Sequence, residues 1–127
     1  MNADNYSPVP DEQVSLAVEV FRMLADPTRI QLLWALSHGE MSVNALADAV
    51  GKPGPSVSQH LAKLRMARLV HTRRAGTTIY YSLPNDHVER LVIDAVLNAE
   101  HASPGLPAHH RTGSALRPVA GTPDIEA

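Results

Sequence analysis

The sequence predicts a mainly α-helical chain with a small β-hairpin, arranged as a winged helix-turn-helix of about five helices and a two-stranded wing. Two observations predict this class. Two short helical patterns are joined by GKPGP at residues 51–55, where glycine and proline break a helix. After Leu69 the spacing changes to an alternation with period two over residues 69–83, which is typical of a hairpin. A length of 127 residues suits one domain with a tail.

The first two helices are predicted from apolar spacing and capping residues. Asp11 is expected to cap the first helix, whose apolar side chains recur at helical intervals up to Leu24. The sequence ADPTR then breaks this helix. Asp26 is expected to cap the second helix, with Pro27 in its first position, where a missing N–H costs nothing. Gly39 is expected to end it.

The next two helices and the hairpin follow from similar local signals. Ser42 is expected to cap a third helix, VNALADAV, which stops at Gly51. Beyond the turn, Pro55 or Ser56 is expected to open the fourth helix, SVSQHLAKLRMARL. The hairpin should then turn at residues 75–76, since its flanking segments are rich in β-branched and aromatic residues.

A last helix and a tail complete the predicted organisation. Asn85 or Asp86 is expected to cap this helix, and the Pro104-Gly105 pair to end it. Proline, glycine, alanine and threonine dominate residues 111–127, which favours disorder. The chain is therefore divided into a flexible arm (1–10), a winged-helix domain (11–102) and a flexible tail (103–127).

Charge is unevenly distributed along the chain. The formal net charge is only −2. Residues 52–85 nevertheless contain no acid and hold six bases, which are Lys52, Lys63, Arg65, Arg68, Arg73 and Arg74. A local excess of this kind indicates a surface built for a polyanion. The alternative, an ordinary solvated surface, is disfavoured because such a surface would intersperse acids among the bases.

Composition excludes several classes of protein. The absence of cysteine excludes a disulfide framework and thiolate metal sites. No apolar run is long enough to cross a membrane, and the first residues lack the basic and apolar regions of a signal peptide. We therefore expect a cytoplasmic protein without membrane contact.

The second helix of the pair is expected to enter a major groove. Gln59 has the amide geometry to pair with adenine. Lys63 and Arg65 suit phosphate contacts, which fix the position of the protein on the duplex without reading its sequence. Arg73 and Arg74 lie just before the glycine at the tip of the hairpin, as expected for a wing on the DNA backbone or in a minor groove. The predicted DNA-binding residues are Ser56, Ser58, Gln59, His60, Lys63, Arg65, Arg73 and Arg74.

Three segments resemble the ArsR/SmtB transcriptional repressors: FRMLADPTRIQLLWAL, SVSQHLAKLRMARLV and RRAGTTIYYSL. The resemblance covers about residues 12–101. It implies a homodimer with the first and last helices at its interface, and repression of double-stranded operator DNA in the ligand-free state. It also implies release of the DNA when an inducer, usually a metal ion, binds. An enzyme with a small-molecule substrate is not implied.

Two metal sites of this family match the chain only in part. In the stretch that carries thiolates in arsenic, cadmium and lead sensors, residues 40–46 contain no cysteine. In the zinc-sensing pattern of the last helix, His87 is kept, but Asn85, Asn98 and His101 replace the aspartate, histidine and glutamate. A thiolate sensor is thus excluded, and a zinc sensor of the usual kind is disfavoured.

The remaining histidines suggest a different site. His87 and His101 are fourteen residues apart, which is about 21 Å along a helix, so an ion would have to join two chains. The spacer 102–108 could fold the next two histidines over that site. The predicted ligands are His87, Glu100, His101, His109 and His110. A sulfur-free set of five or six ligands favours octahedral Ni(II) or Co(II). The segment LVIDAVLNAEHASPG is similar to the nickel- and cobalt-sensing, KmtR-like branch of the family.

Three alternatives to this prediction stay open to different degrees. The chain could be a repressor of the same family that responds to zinc or to a non-metal signal. A His-His pair alone is also a common accident in a tail. A metal-dependent hydrolase is disfavoured, because no nucleophile or oxyanion arrangement accompanies the histidines.

Overall fold

The computed structural model describes residues 5–102, within which it contains five helices and three strands. In chain order these are α1 (Asp11–Leu24), α2 (Pro27–Leu36), β1 (Met41–Ser42), α3 (Val43–Val50), α4 (Gly54–Met66), β2 (His71–Ala75), β3 (Thr78–Ser82) and α5 (Asp86–His101). The winged helix-turn-helix prediction is confirmed, with one strand more than the expected two.

Local capping explains where α2 and α3 begin and where α3 ends. The Asp26 side chain accepts a hydrogen bond from the backbone N–H of Arg29 at 2.9 Å, and Pro27 is the first helical residue. Ser42 Oγ accepts from the backbone N–H of Ala45 at 3.2 Å. Gly51 closes α3 in the left-handed conformation, with φ of +66°, which glycine adopts without a steric penalty. The predicted caps of these two helices are confirmed.

Four predicted boundaries shift. Helix α1 begins at Asp11 itself, so its N-cap position falls on Pro10, and the expected capping role of Asp11 is wrong. Helix α4 starts at Gly54, ahead of the predicted first residues. Helix α2 ends at Leu36, before Gly39, and α5 ends at His101, before the predicted proline stop. Such shifts reflect the weak sequence signals at helix ends.

The hairpin turn lies one residue later than predicted. Ala75 pairs with Thr78, so the two residues between them form the turn. Gly76 has φ of +65°. Two-residue hairpin loops need positive φ at their first central position when they are of type II′, and glycine is the residue that provides it at least cost.

The end of α4 is closed by two backbone hydrogen bonds. The N–H of Leu69 donates to the carbonyl of Leu64 at 2.8 Å, and that of Arg68 donates to the carbonyl of Arg65 at 2.9 Å. This is the Schellman arrangement, in which the residue after the helix adopts a left-handed conformation. Arg68 occupies that position, with φ of +62°. The chain is thereby turned from the fourth helix into the wing.

The sheet has three antiparallel strands in the order β1-β3-β2. Strand β1 pairs Met41 with Tyr81 and Ser42 with Tyr80. Strand β2 pairs Arg73 with the same Tyr80. The predicted two-stranded wing is thus joined along one edge by a short strand that precedes α3, which ties the wing to the helix pair.

The core is aliphatic and fixes α4 against its neighbours. Helices α2, α3 and α4 contact one another. The buried apolar side chains are Leu32, Leu33, Leu36, Leu46, Val57, Leu61, Leu64, Leu69, Val70 and Val92. Because these residues come from all three helices, from the start of the wing and from the first half of α5, the position of the fourth helix is set by the whole cluster.

By its internal contacts the chain divides into two units, one up to Val92 and one from Ile93 onward. The first contains all the elements up to the first half of α5. Of the second, the structure describes residues 93–102, where the N–H of Ala102 donates to the carbonyl of Asn98 at 3.0 Å. Among residues 5–102, every helix is too short or too polar to cross a bilayer.

Candidate nucleic-acid interface and metal ligands

Helices α3 and α4 and the hairpin β2–β3 form what we call the recognition region. Its central element, α4, has an inner face with three fully buried side chains: Val57, Leu61 and Leu64. Gln59 and Lys63 are exposed, and since they are four residues apart they share one side of the helix. Ser58 and Arg65 are exposed as well. Four of the predicted contact residues of α4 are therefore accessible to a ligand.

The other two predicted residues of α4, Ser56 and His60, are half-buried. The His60 side chain is 23% exposed, and its Nδ1 lies 3.7 Å from Oδ2 of Asp26. The same nitrogen lies 3.3 Å from Nη1 of Arg29. Nδ1 of His60 is thus directed toward the start of α2, and a DNA contact of this residue stays a prediction.

In the wing, Arg73 is held by an acidic residue from outside the basic segment. Its Nε donates to Oε2 of Glu40 and its Nη2 donates to Oε1, both at 2.8 Å. The guanidinium also lies over the Tyr80 ring, with Cζ 4.8 Å from the centroid. Residues 52–85 contain no acid of their own, but in the fold Glu40 comes from outside this segment to pair with Arg73. Arg74, its neighbour, is exposed.

The Glu40–Arg73 pair changes the titration of both groups. The hydrogen bond from Arg73 lowers the pKa of Glu40, partial desolvation opposes this, and the arginine charge lowers it further. The same hydrogen bond raises the pKa of Arg73. Both groups are thus charged at neutral pH. A DNA phosphate that approached Arg73 would compete with the Glu40 carboxylate for the same guanidinium.

The predicted metal ligands are not brought together within the described part of one chain. On α5, His87 and His101 are exposed, and Glu100 is half-buried. Across residues 5–102, no three histidine or acidic side chains lie close enough together to hold a metal ion. His109 and His110 lie outside the described residues. The five-ligand site therefore stays a prediction.

Two residues that contact the recognition region, Arg29 and Glu40, were not singled out from the sequence. Arg29 has a signal that could have revealed it, because it falls on the apolar face of α2, at helical spacing from the buried Leu32, Leu33 and Leu36. A basic residue at such a position requires buried partners. Glu40 has no comparable local signal, since Arg73 is 33 residues away in the chain.

Comparison with known proteins places these features in one family. Residues 26–72 match the family model described as bacterial regulatory protein, arsR family. The HTH-type transcriptional regulator KmtR of Mycobacterium tuberculosis is 71% identical over 113 residues, which cover 89% of this chain and 87% of KmtR. This match is therefore much longer than residues 26–72.

Solved structures share the same architecture. The homodimeric winged helix-turn-helix DNA-binding domain of a Mycobacterium bovis protein superposes with a TM-score of 0.68 at 32% identity. It covers 77% of this chain and 92% of its own. The antimony-specific transcriptional repressor AntR gives a TM-score of 0.70 at 30% identity, covering 79% and 91% of the two chains. The first is described as the DNA-binding domain of a possible ArsR-family transcriptional regulator, and the second as a transcriptional repressor.

Proposed function

Because this chain belongs to the arsR family of bacterial regulatory proteins, it is a transcriptional regulator rather than an enzyme, and we propose that it is a metal-responsive repressor. In this proposal the metal-free homodimer binds an operator, and binding of Ni(II) or Co(II) to the protein releases it from the DNA. The observation that carries the DNA-binding part is the exposed polar side of α4, set on a helix whose other side is buried.

The recognition region has the groups that duplex DNA requires. The Gln59 amide offers one donor and one acceptor in the geometry that matches the adenine edge. Lys63, Arg65 and Arg74 carry exposed positive charges suited to phosphates. A dimer would present two copies of α4 to successive major grooves, so the operator should contain inverted half-sites about one helical turn apart.

A second copy of the chain is the partner that α1 suggests. One side of this helix packs on the core through Val20, Met23 and Leu24. Its other apolar side chains are exposed, at 44% for Val14, 64% for Leu16, 47% for Val18 and 62% for Phe21. Val14, Val18 and Phe21 recur at intervals of four and three residues, so these three share one side of α1. An exposed apolar side marks an interaction site, and the homodimeric M. bovis neighbour supports a second copy as its occupant.

The donor chemistry of the chain supports an imidazole-bound inducer. With seven histidines and no cysteine, the chain offers nitrogen and carboxylate ligands, which suit Ni(II) and Co(II) when five or six of them converge. In the proposal these are His87, Glu100, His101, His109 and His110, shared between two chains. A repressor of the same fold that is specific for antimony supports an inorganic signal. Zn(II) or a non-metal signal is the alternative.

The test is DNA binding with and without metal. The DNA is a duplex selected from a random library by the metal-free protein, and binding is followed by fluorescence anisotropy. Ni(II) or Co(II) should weaken binding about 5–150-fold, the range of a typical allosteric coupling. The His109→Ala/His110→Ala variant should remain bound to DNA at metal concentrations that release the wild-type protein.

His38→Ala is the matched control, since it removes a histidine that lies before the recognition region and outside the predicted ligand set. It should respond to metal as the wild type does. If the double variant releases DNA at the same metal concentration as the wild type, the tail has no part in sensing. Release by Zn(II) alone, or by neither metal, would favour the alternative.

A further inference from the structure

Among residues 5–102, Arg29 is the one charged side chain that is buried, with 9% of its surface exposed. Burying a guanidinium is costly unless its N–H groups find acceptors, and the proposed function assigns it no role. The residues around it therefore indicate what its burial achieves.

Its partners lie on three different segments. The Arg29 Nε donates to the carbonyl oxygen of Met23, in the last turn of α1, at 2.7 Å. Its Nη1 lies 3.3 Å from Nδ1 of His60, in the middle of α4. Its backbone N–H donates to Asp26 Oδ2 at the start of α2. One residue thus connects the end of α1, the start of α2 and the DNA-facing helix.

The contact with His60 fixes which nitrogen of the imidazole carries the proton. A guanidinium has only donors, so Nδ1 of His60 has to be the acceptor, and the ring proton has to be on Nε2. The Asp26 carboxylate, at 3.7 Å from Nδ1, is beyond hydrogen-bond distance. A hydrogen bond between Arg29 Nη1 and His60 Nδ1 therefore needs the tautomer of His60 that carries its proton on Nε2.

His60 is adjacent to Gln59 and three residues before Lys63 on α4. Apolar packing of Val57, Leu61 and Leu64 buries the inner face of this helix but is non-directional. A hydrogen bond is directional, so the Arg29 contact restricts the rotation of α4 about its axis. That rotation decides where the Gln59 amide points in a groove.

We propose that Arg29 is a positioning residue for sequence recognition, acting through Nδ1 of His60 to set the orientation of α4 relative to α1 and α2. The role deepens the proposed DNA-binding function and rests on it. Loss of the contact should weaken binding to the recognised sequence while leaving phosphate-driven binding to other sequences intact.

The first test measures the His60 tautomer in the free protein by long-range ¹H–¹⁵N NMR. The expected spectrum has Nδ1 unprotonated and Nε2 protonated. A protonated Nδ1 would overturn the proposal, because that nitrogen could not accept from Arg29. This measurement uses no DNA, so its outcome is independent of whether the chain proves to be a repressor.

The second test compares His60→Leu with His60→Asn, since leucine has no acceptor and asparagine places Oδ1 near the position of Nδ1. Anisotropy is measured with the library-selected duplex and with the unselected pool. His60→Leu should lose about tenfold in affinity for the selected duplex, the effect of one lost base contact, and keep its affinity for the pool. His60→Asn should recover most of that loss.

Lys63→Ala is the matched control on the same helix, and it should weaken both DNAs alike because it removes a phosphate contact. The positioning role would be wrong if His60→Leu weakened binding to the selected duplex and to the pool equally. It would also be wrong if His60→Asn failed to restore the affinity for the selected duplex. Thermal unfolding of each variant identifies a folding defect, which would lower binding to both DNAs. A wild type that showed no preference for its selected duplex would contradict the proposed function, whereas the tautomer result would still decide the Arg29–His60 contact.

Discussion

The recognition region and the last helix differ in how much of a binding site one chain provides. In the recognition region, α4 is held by a buried core, Arg29 connects it to two other segments, and Glu40 holds the wing arginine. On α5, the two candidate histidine ligands, His87 and His101, stand fourteen residues apart on one helix, and both are exposed.

The difference suggests separate roles for folding and for assembly. A surface that packs within one chain can be ready for DNA before any signal arrives. Ligands that stand apart on one helix become a site only when another segment or a second chain approaches. A regulator built in this way would use the recognition region to bind DNA. It would use α5 to bind a ligand between the two chains of the dimer. The following predictions test this division, from the largest effect to the smallest.

Leu61→Ala should have the largest effect on folding. Leu61 is fully buried on the inner face of α4, and its truncation should lower the free energy of unfolding by about 2–5 kcal/mol. Urea unfolding followed by circular dichroism measures this. Leu97→Ala on α5 is the matched control, since Leu97 is 43% exposed and should lose less than about half as much. Equal losses would contradict the view that the recognition region depends more strongly on buried apolar packing than α5 does.

Phe21→Ala should act on assembly rather than on folding. Phe21 is 62% exposed on α1, so its loss should affect the unfolding of a single chain little. If a second copy covers it, the dissociation constant of the homodimer should rise about tenfold or more, as for an aromatic residue at the centre of an interface. Sedimentation equilibrium measures this constant.

Met66→Ala is the control for this assembly test. Met66 is 84% exposed on α4, a helix that the proposal assigns to DNA, and its truncation should leave dimerisation unchanged. An unchanged dissociation constant for Phe21→Ala would remove α1 from the proposed interface.

Glu40→Gln should have the smallest effect of these substitutions. It should lower the free energy of unfolding by an amount that depends on pH. The folded-state pKa of Glu40 lies below its ordinary value of 4.5 because Arg73 donates hydrogen bonds to it. The pair therefore contributes stability above about pH 4.5, and this contribution is lost as the pH falls through the lower folded-state value. Urea unfolding between pH 7 and pH 3 should show wild type and Glu40→Gln converging at the acid end.

Arg73→Gln removes the other member of the Glu40–Arg73 pair and completes a double-mutant cycle for the interaction. Glu40→Gln should destabilise this variant less than it destabilises the wild type at pH 7, since the interaction is already absent. A difference between Glu40→Gln and the wild type that persisted unchanged to pH 3 would contradict the assigned role of the carboxylate. Because the pair is exposed, salt should also reduce its contribution.

Sequence signals predicted the parts of the fold that depend on neighbouring residues. Asp26 with Pro27, Ser42 and Gly51 act within a few residues, so their caps could be read directly. The hairpin was recognisable from its alternation and its glycine, although the turn was placed one residue early.

Long-range pairings could not be predicted in the same way. Strand β1 has only two residues, and its partners Tyr80 and Tyr81 lie about forty positions later in the chain. The Glu40–Arg73 and Arg29–His60 contacts likewise join residues more than thirty positions apart. Sequence reasoning therefore proposed residues of α4 and the wing for DNA contact, and it missed Arg29 and Glu40, which contact two of them, His60 and Arg73.

The measurement that tests the shared metal site most directly is a complementation experiment with two variants. His87→Ala and His101→Ala chains are purified separately, then mixed and allowed to exchange subunits, and Co(II) absorption is recorded. Neither variant alone should give the wild-type d–d bands, whose weak intensity would indicate octahedral coordination. In a symmetric dimer that pairs His87 of one chain with His101 of the other, a mixed dimer keeps one intact site of two, so about a quarter of the wild-type signal should return. If mixing restores no signal, the proposal that the two chains share the ion is contradicted.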